Sequence, residues 1–112
     1  DDIREAPSLY IIQELLNEGV VVKAHDPEAM ENIKKIFGNK IQYGENQYDV
    51  LQGADALLIS TEWPEYRNPD FDRVGSSMKN KLIFDGRNLY DLSNMGELGY
   101  TYVSIGRKSI KS

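Results

Sequence analysis

The spacing of apolar residues changes period along the chain, and those changes divide it into elements. Leu9, Ile12, Leu15 and Leu16 recur at the spacing of one helical face, Pro7 suits a first turn and Gly19 a left-handed stop, predicting a helix over residues 7–18. Asp1, Asp2 and Glu5 place negative charge near its positive end. Val20-Val21-Val22-Lys23-Ala24 is β-branched without strict alternation, as in a strand covered on both faces. After His25-Asp26, Pro27 opens a second helical stretch on which Met30, Ile33, Ile36 and Phe37 face one way before Gly38. A short strand is expected around Ile41–Tyr43, one or two helical turns over Tyr48-Asp49-Val50-Leu51, and a strand at Ala56-Leu57-Leu58-Ile59-Ser60. This last run is the most continuous apolar segment and is expected to be central.

Asp70 suits the N-cap of a helix reaching about Lys79, weakened by Gly75 at up to ~1 kcal/mol relative to alanine. Leu82-Ile83-Phe84 then reads as a strand entering Asp85-Gly86-Arg87-Asn88, and a last strand near Tyr102–Ile105 enters Gly106-Arg107. Strands separated by helical crossovers are nearly always parallel and right-handed, so the rhythm predicts an α/β fold: a three-layer, Rossmann-like parallel sheet with helices on both faces. Because the chain opens on the helix of a strand–helix unit, the sheet is expected to lack its first strand.

Composition narrows the class. The 112 residues, 40% hydrophobic and 28% charged, suit a single globular domain over residues 1–112. With 13 Lys+Arg against 18 Asp+Glu the net charge of −5 opposes general attraction to nucleic acid or anionic lipid, so neither is expected as a partner. There is no cysteine, hence no disulfide or thiolate chemistry within these residues. No apolar run approaches the ~20 residues of a membrane span, and a cytoplasmic setting is the expectation.

In a parallel sheet all carboxyl ends face one side, and ligands bind in the crevice outside them. The residues after each predicted strand therefore sample the site: His25-Asp26, Thr61-Glu62-Trp63, Asp85-Gly86-Arg87-Asn88 and Gly106-Arg107. Two arginines, carboxylates, an indole and hydroxyl or amide groups suit a ligand part anionic and part aromatic, such as a nucleotide diphosphate. Arg87 leads the candidates: Gly86 permits close backbone approach, and a guanidinium is a planar fork for phosphate or uracil oxygens. The competing reading is an ion pair of Arg87 with Asp85 or Glu62 that only trims the sheet edge. Arg4 can reach an anion held outside the chain, or simply neutralise Asp1 and Asp2. Arg107 and Lys108 read as surface charge. Trp63 is placed either to stack on a base or to lid the core. His25, the single histidine, has no partners at metal spacing, and Asp26-Pro27 reads as a helix start, so no metal is expected. The signatures GxGxxG, GxxxxGK[ST], GxSxG and HExxH are all absent, and no base stands beside a nucleophile, so no catalytic residue is assigned.

Three segments carry a specific likeness. Asp-Asp-Ile-Arg-Glu-Ala-Pro-Ser (1–8), Ala-Asp-Ala-Leu-Leu-Ile-Ser-Thr-Glu-Trp (54–63) and Ile-Phe-Asp-Gly-Arg-Asn (83–88) with Ile105-Gly106-Arg107 resemble the C-terminal, UDP-binding domain of the UDP-glucose/GDP-mannose dehydrogenase family. The Thr-Glu-Trp and Asp-Gly-Arg-Asn pairing is most similar to the members that oxidise UDP-glucose. The resemblance implies an NAD-dependent, two-step oxidation of UDP-glucose to UDP-glucuronate through a cysteine thioester. It places that cysteine, the NAD-binding domain and a dimerising helix upstream of Asp1, so that this chain is a fragment, inactive alone, of a homo-oligomeric enzyme. It assigns Arg4 to the cofactor and Arg87 to the UDP-sugar. It also sets the absent strand between the 20–24 and 56–60 strands, implying a slot that leaves the chain marginal alone or is filled by another segment.

A free-standing regulatory or protein-interaction module, such as a receiver-like domain, is the second reading. Asp26, Asp85 and Lys108 loosely imitate a receiver's acidic cluster and lysine, although the strand phases differ.

Overall fold

The computed structural model describes residues 2–104, with side chains from residue 8 onward. The described residues fall into two compact units, divided between residues 52 and 53.

The first unit opens with helix α1 (Asp2–Asn17). It stops at Gly19, whose φ of 81° lets its N–H reach the Leu16 carbonyl at 3.0 Å while Val20 N–H reaches that of Leu15 at 3.0 Å. These are the paired bonds of a Schellman motif, which satisfies carbonyls left over at a helix end. Strand β1 (Lys23–Ala24) pairs in parallel with β2 (Gln42–Tyr43), Lys23 opposite Gln42 and Ala24 opposite Tyr43. Helix α2 (Met30–Phe37) connects them. Ile12, Val22, Ala29, Ile33, Phe37 and Ile41 are buried together, with Leu9, Leu15 and Leu16 against them. The strand expected from Val20 is shorter than the apolar run, and Val21 stays 75% exposed, because ladder bonds from β2 begin only at the Val22 carbonyl. Ile36 also points outward, since this eight-residue helix buries the Ile33 and Phe37 stripe, one turn apart.

In the second unit, β3 (Leu57–Ile59), β4 (Leu82–Asp85) and β5 (Thr101–Ser104) form a parallel sheet in the order β3-β4-β5. The most apolar run is therefore an edge of this sheet, and β4 is its middle strand. Register places Leu57, Ile83 and Tyr102 in one row and Leu58, Phe84 and Val103 in the next. Ile83 is fully buried, whereas Leu58 and Val103 remain about two-fifths exposed at 42% and 41%. Continuous apolarity marked the strand, but hydrogen-bonded position is set by which other strands reach it.

Short helix α3 (Pro64–Arg67) and then α4 (Phe71–Ser77) link β3 to β4, and α5 (Leu92–Glu97) links β4 to β5. Asp70 caps α4 as expected, its Oδ1 accepting from Asp72 and Arg73 N–H at 3.1 and 3.2 Å, and Asp91 caps α5 through Asn94 N–H at 3.0 Å. Gly75 has a steric reason: a Cβ there would stand 3.0 Å from the Tyr100 hydroxyl and 2.7 Å from Lys81 Cε. Phe71 meets Tyr90 edge-on at 5.0 Å and Tyr100 at 6.0 Å, and the Tyr100 hydroxyl donates to the Phe71 carbonyl at 2.6 Å.

Burial, aided by nearby Asp72 and Asp70 and opposed by a backbone hydrogen bond from Gly75, raises the Tyr100 hydroxyl above its ordinary pKa of 10.0. Since the folded value exceeds the unfolded one, Tyr100 favours the folded state fully below pH 10.0 and loses that contribution as pH rises through the folded value. Tyr100→Phe should cost about 1 kcal/mol at neutral pH, the net worth of one hydrogen bond, and flatten the alkaline fall in stability. Urea melts at neutral and alkaline pH check both; an alkaline limb unchanged from wild type would contradict the assignment.

Candidate ligand-binding site

Asp85, the last residue of β4, is fully buried. Burying a carboxylate is costly unless its oxygens are satisfied. Here Oδ1 accepts from Arg87 N–H at 2.8 Å, and Oδ2 accepts from Leu89 N–H at 2.7 Å and from the Tyr102 hydroxyl at 2.6 Å. The Tyr102 oxygen in turn accepts from Tyr90 N–H at 3.2 Å. One side chain thus folds the segment after β4 back over its own strand end and ties it to β5.

The neighbours complete that turn. Gly86 N–H extends the ladder to the Ile59 carbonyl at 2.8 Å, and a Cβ on Gly86 would sit 3.1 Å from the same oxygen, so glycine allows this approach to β3. Asn88 takes a left-handed φ of 59°, a conformation asparagine tolerates, and its amide oxygen is hydrogen-bonded by the Ser104 hydroxyl at the end of β5.

Arg87 rises from this turn with its side chain 49% exposed. Its Nη2 donates to Glu62 Oε1 at 3.2 Å, and the other oxygen of Glu62 pairs with Arg67. Glu62 follows β3 and Arg67 closes α3, where the extended Trp63 and then Pro64 start the helix. The carboxyl edge of this sheet therefore carries an arginine–glutamate–arginine cluster with a net charge of +1. Each pair is partly solvated and contributes at most about 1 kcal/mol.

Of the residues predicted for the site, Glu62, Arg87 and Asn88 meet at this edge. Both readings of Arg87 have a basis, since it is ion-paired to Glu62 and half exposed; its link to Asp85 runs through the backbone N–H instead of the guanidinium. Thr61 is buried, and Trp63 is half-buried. In the other unit Asp26 accepts from Glu28 and Ala29 N–H, both at 2.9 Å, and so holds the turn before α2, which starts at Met30 and not at Pro27 as expected. The side chain of Arg4, and Gly106, Arg107 and Lys108, lie outside the described residues. Sequence reasoning passed over Arg67, Tyr102 and Ser104. Tyr102 showed only as the start of the last strand, and its place opposite Ile83, two residues from Asp85 along β4, depends on register.

A parallel α/β sheet with a buried-carboxylate turn and a basic cluster at its carboxyl edge defines a Rossmann-like ligand-binding domain. The family model described as "UDP-glucose/GDP-mannose dehydrogenase family, UDP binding domain" matches residues 1–92, and the chain belongs to that family. It is 43% identical over 96% of its length to a UDP-glucose 6-dehydrogenase of Pseudomonas aeruginosa, and 41% identical over 96% to one of Rhizobium meliloti. A third, from Bacillus subtilis, is 40% identical over 99% of the chain. The chain spans about a quarter of the length of these relatives, 24–25%. A UDP-D-ManNAc dehydrogenase structure from Pyrococcus horikoshii, 20% identical with a TM-score of 0.51, is matched over 97% of this chain and 32% of that one, and has a similar fold. The receiver-like alternative is not supported: Asp26 and Asp85 are engaged by backbone N–H groups, and the family is a different one. No helix among the described residues is long and apolar enough to cross a membrane.

Replacing Asp85 by Asn would turn an N–H donor toward groups that themselves donate. Asp85→Asn should destabilise the protein by about 2–3 kcal/mol, the cost of unmet buried hydrogen-bonding groups. Chemical denaturation measures this, and a loss below 0.5 kcal/mol would show that the turn does not depend on the carboxylate.

Proposed function

We propose that residues 1–112 form the UDP-recognising domain of a longer, cytoplasmic, homo-oligomeric UDP-glucose 6-dehydrogenase, in which Arg87 contacts the UDP-sugar. The observation that carries this reading is the placement of Arg87: a turn anchored at four points presents it, half exposed, at the edge where α/β sheets bind ligands. The family match and the likeness to UDP-glucose 6-dehydrogenases support UDP-glucose as substrate.

The described residues do not fit the NAD such a reaction uses. None of the strand ends carries a glycine-rich turn open to a pyrophosphate, and at Gly86 the space beside the missing Cβ faces the Ile59 carbonyl. The cofactor and the oxidation belong, on this proposal, to a separate NAD-binding domain of the longer chain, with Arg4 facing the cofactor. These residues supply binding. A nucleotide handle gripped far from the reacting carbon orients it, and interaction energy there can support the chemical step.

In the full-length dehydrogenase, Arg87→Ala should weaken UDP-glucose by about 2 kcal/mol or more, roughly thirty-fold, the scale of a charge-assisted contact. Steady-state kinetics test it, and an unchanged KM and kcat would refute the role.

A further inference from the structure

We infer that Arg67 is a second diphosphate-contacting residue that works as a pair with Arg87, an inference that rests on the nucleotide-sugar reading above. Local structure brings it there. Pro64 fixes the first turn of α3, and the helix lasts only to Arg67, so the guanidinium returns against Glu62 at the end of β3. Arg67 and Arg87 each give one nitrogen, Nη2, to a different oxygen of the same carboxylate. Two guanidinium groups are thereby held within the span of one carboxyl group, with side chains 54% and 49% exposed.

Such an arrangement is poorly explained as a support for the fold. Ion pairs this exposed contribute little to stability, and the turn bearing Arg87 is already secured by Asp85, Ile59 and Ser104. Like charges brought together repel, and one carboxylate neutralises only one of the two. A guanidinium carries five N–H donors in a rigid fork matched to phosphate oxygens, and a single nitrogen of each is engaged by Glu62. A diphosphate presents two adjacent anionic groups, one for each fork, and supplies the charge the cluster lacks. Glu62 is the positioning residue that sets the distance between the forks. The ligand chemistry selected is thus the diphosphate itself, which a nucleoside lacks.

Inhibition constants for UDP and for uridine, measured on the full-length dehydrogenase against UDP-glucose, test this. Arg67→Ala should weaken UDP by about tenfold or more while uridine changes less than twofold, since only the charge-assisted contact is lost. Arg67→Lys should recover part of the loss, and the thermal midpoint should be unmoved. If Arg67→Ala leaves UDP unchanged while Arg87→Ala weakens it, Arg67 only braces Glu62 and the inference falls with the nucleotide-sugar reading intact. Equal weakening of UDP and uridine would also overturn it, pointing to a general loss of the site. If neither variant alters UDP, the nucleotide-sugar reading fails first.

Discussion

The candidate site depends on one buried carboxylate. Asp85 sits where β4 ends, beneath a segment that must reverse over the sheet, and a reversing segment leaves backbone N–H groups without ladder partners. Two of these, from Arg87 and Leu89, are met by the carboxylate, and a third donor arrives from Tyr102 on the neighbouring strand. The arrangement is self-consistent in both directions: the donors make burial of the carboxylate tolerable, and the carboxylate gives partners to N–H groups that the reversing segment leaves over. A side chain projecting from such a turn inherits its rigidity, which is how Arg87 combines a defined position with a half-exposed guanidinium.

The charged side chains described fall into two groups. Asp26, Asp70 and Asp91 cap helix or turn N–H groups and are occupied in doing so. Glu62, Arg67 and Arg87 instead meet one another at a solvated edge, where their mutual attraction is weak and their remaining donors are open to a ligand. A weakly bound ionic cluster on a rigid turn suits recognition better than stability, because exchanging partners costs little there and misplacing them is prevented by the backbone. On the proposed reading, the domain is a handle for the nucleotide, and oxidation takes place elsewhere on a larger protein.

Much of this was legible in the residues. Helix starts at Asp70, the stop at Gly19 and the strand at Leu82 follow from capping chemistry, backbone allowance and hydrophobic run, all of which act over a few residues. Arg87 was readable because a strand followed by Asp-Gly-Arg-Asn leaves few places for the arginine except the strand tip. Arg67 was not, since its meeting with Glu62 requires knowing that the helix after Trp63 lasts one turn. Tyr102 was not, since its hydroxyl reaches Asp85 only through the register of β5 on β4.

The amino-acid order by itself determined the alternation of helices and strands, the family and the strand-end location of Arg87, because these rest on periodicity, local conformational preference and contiguous motifs. Only tertiary structure decided that β4 and not β3 lies in the middle of its sheet, that Ile36 and Val21 face outward, and that Asp85 binds backbone instead of a guanidinium. These outcomes depend on which distant segments come into contact and on which buried groups then require partners. Both are set by packing across the chain, and neither leaves a trace in the spacing of neighbouring residues.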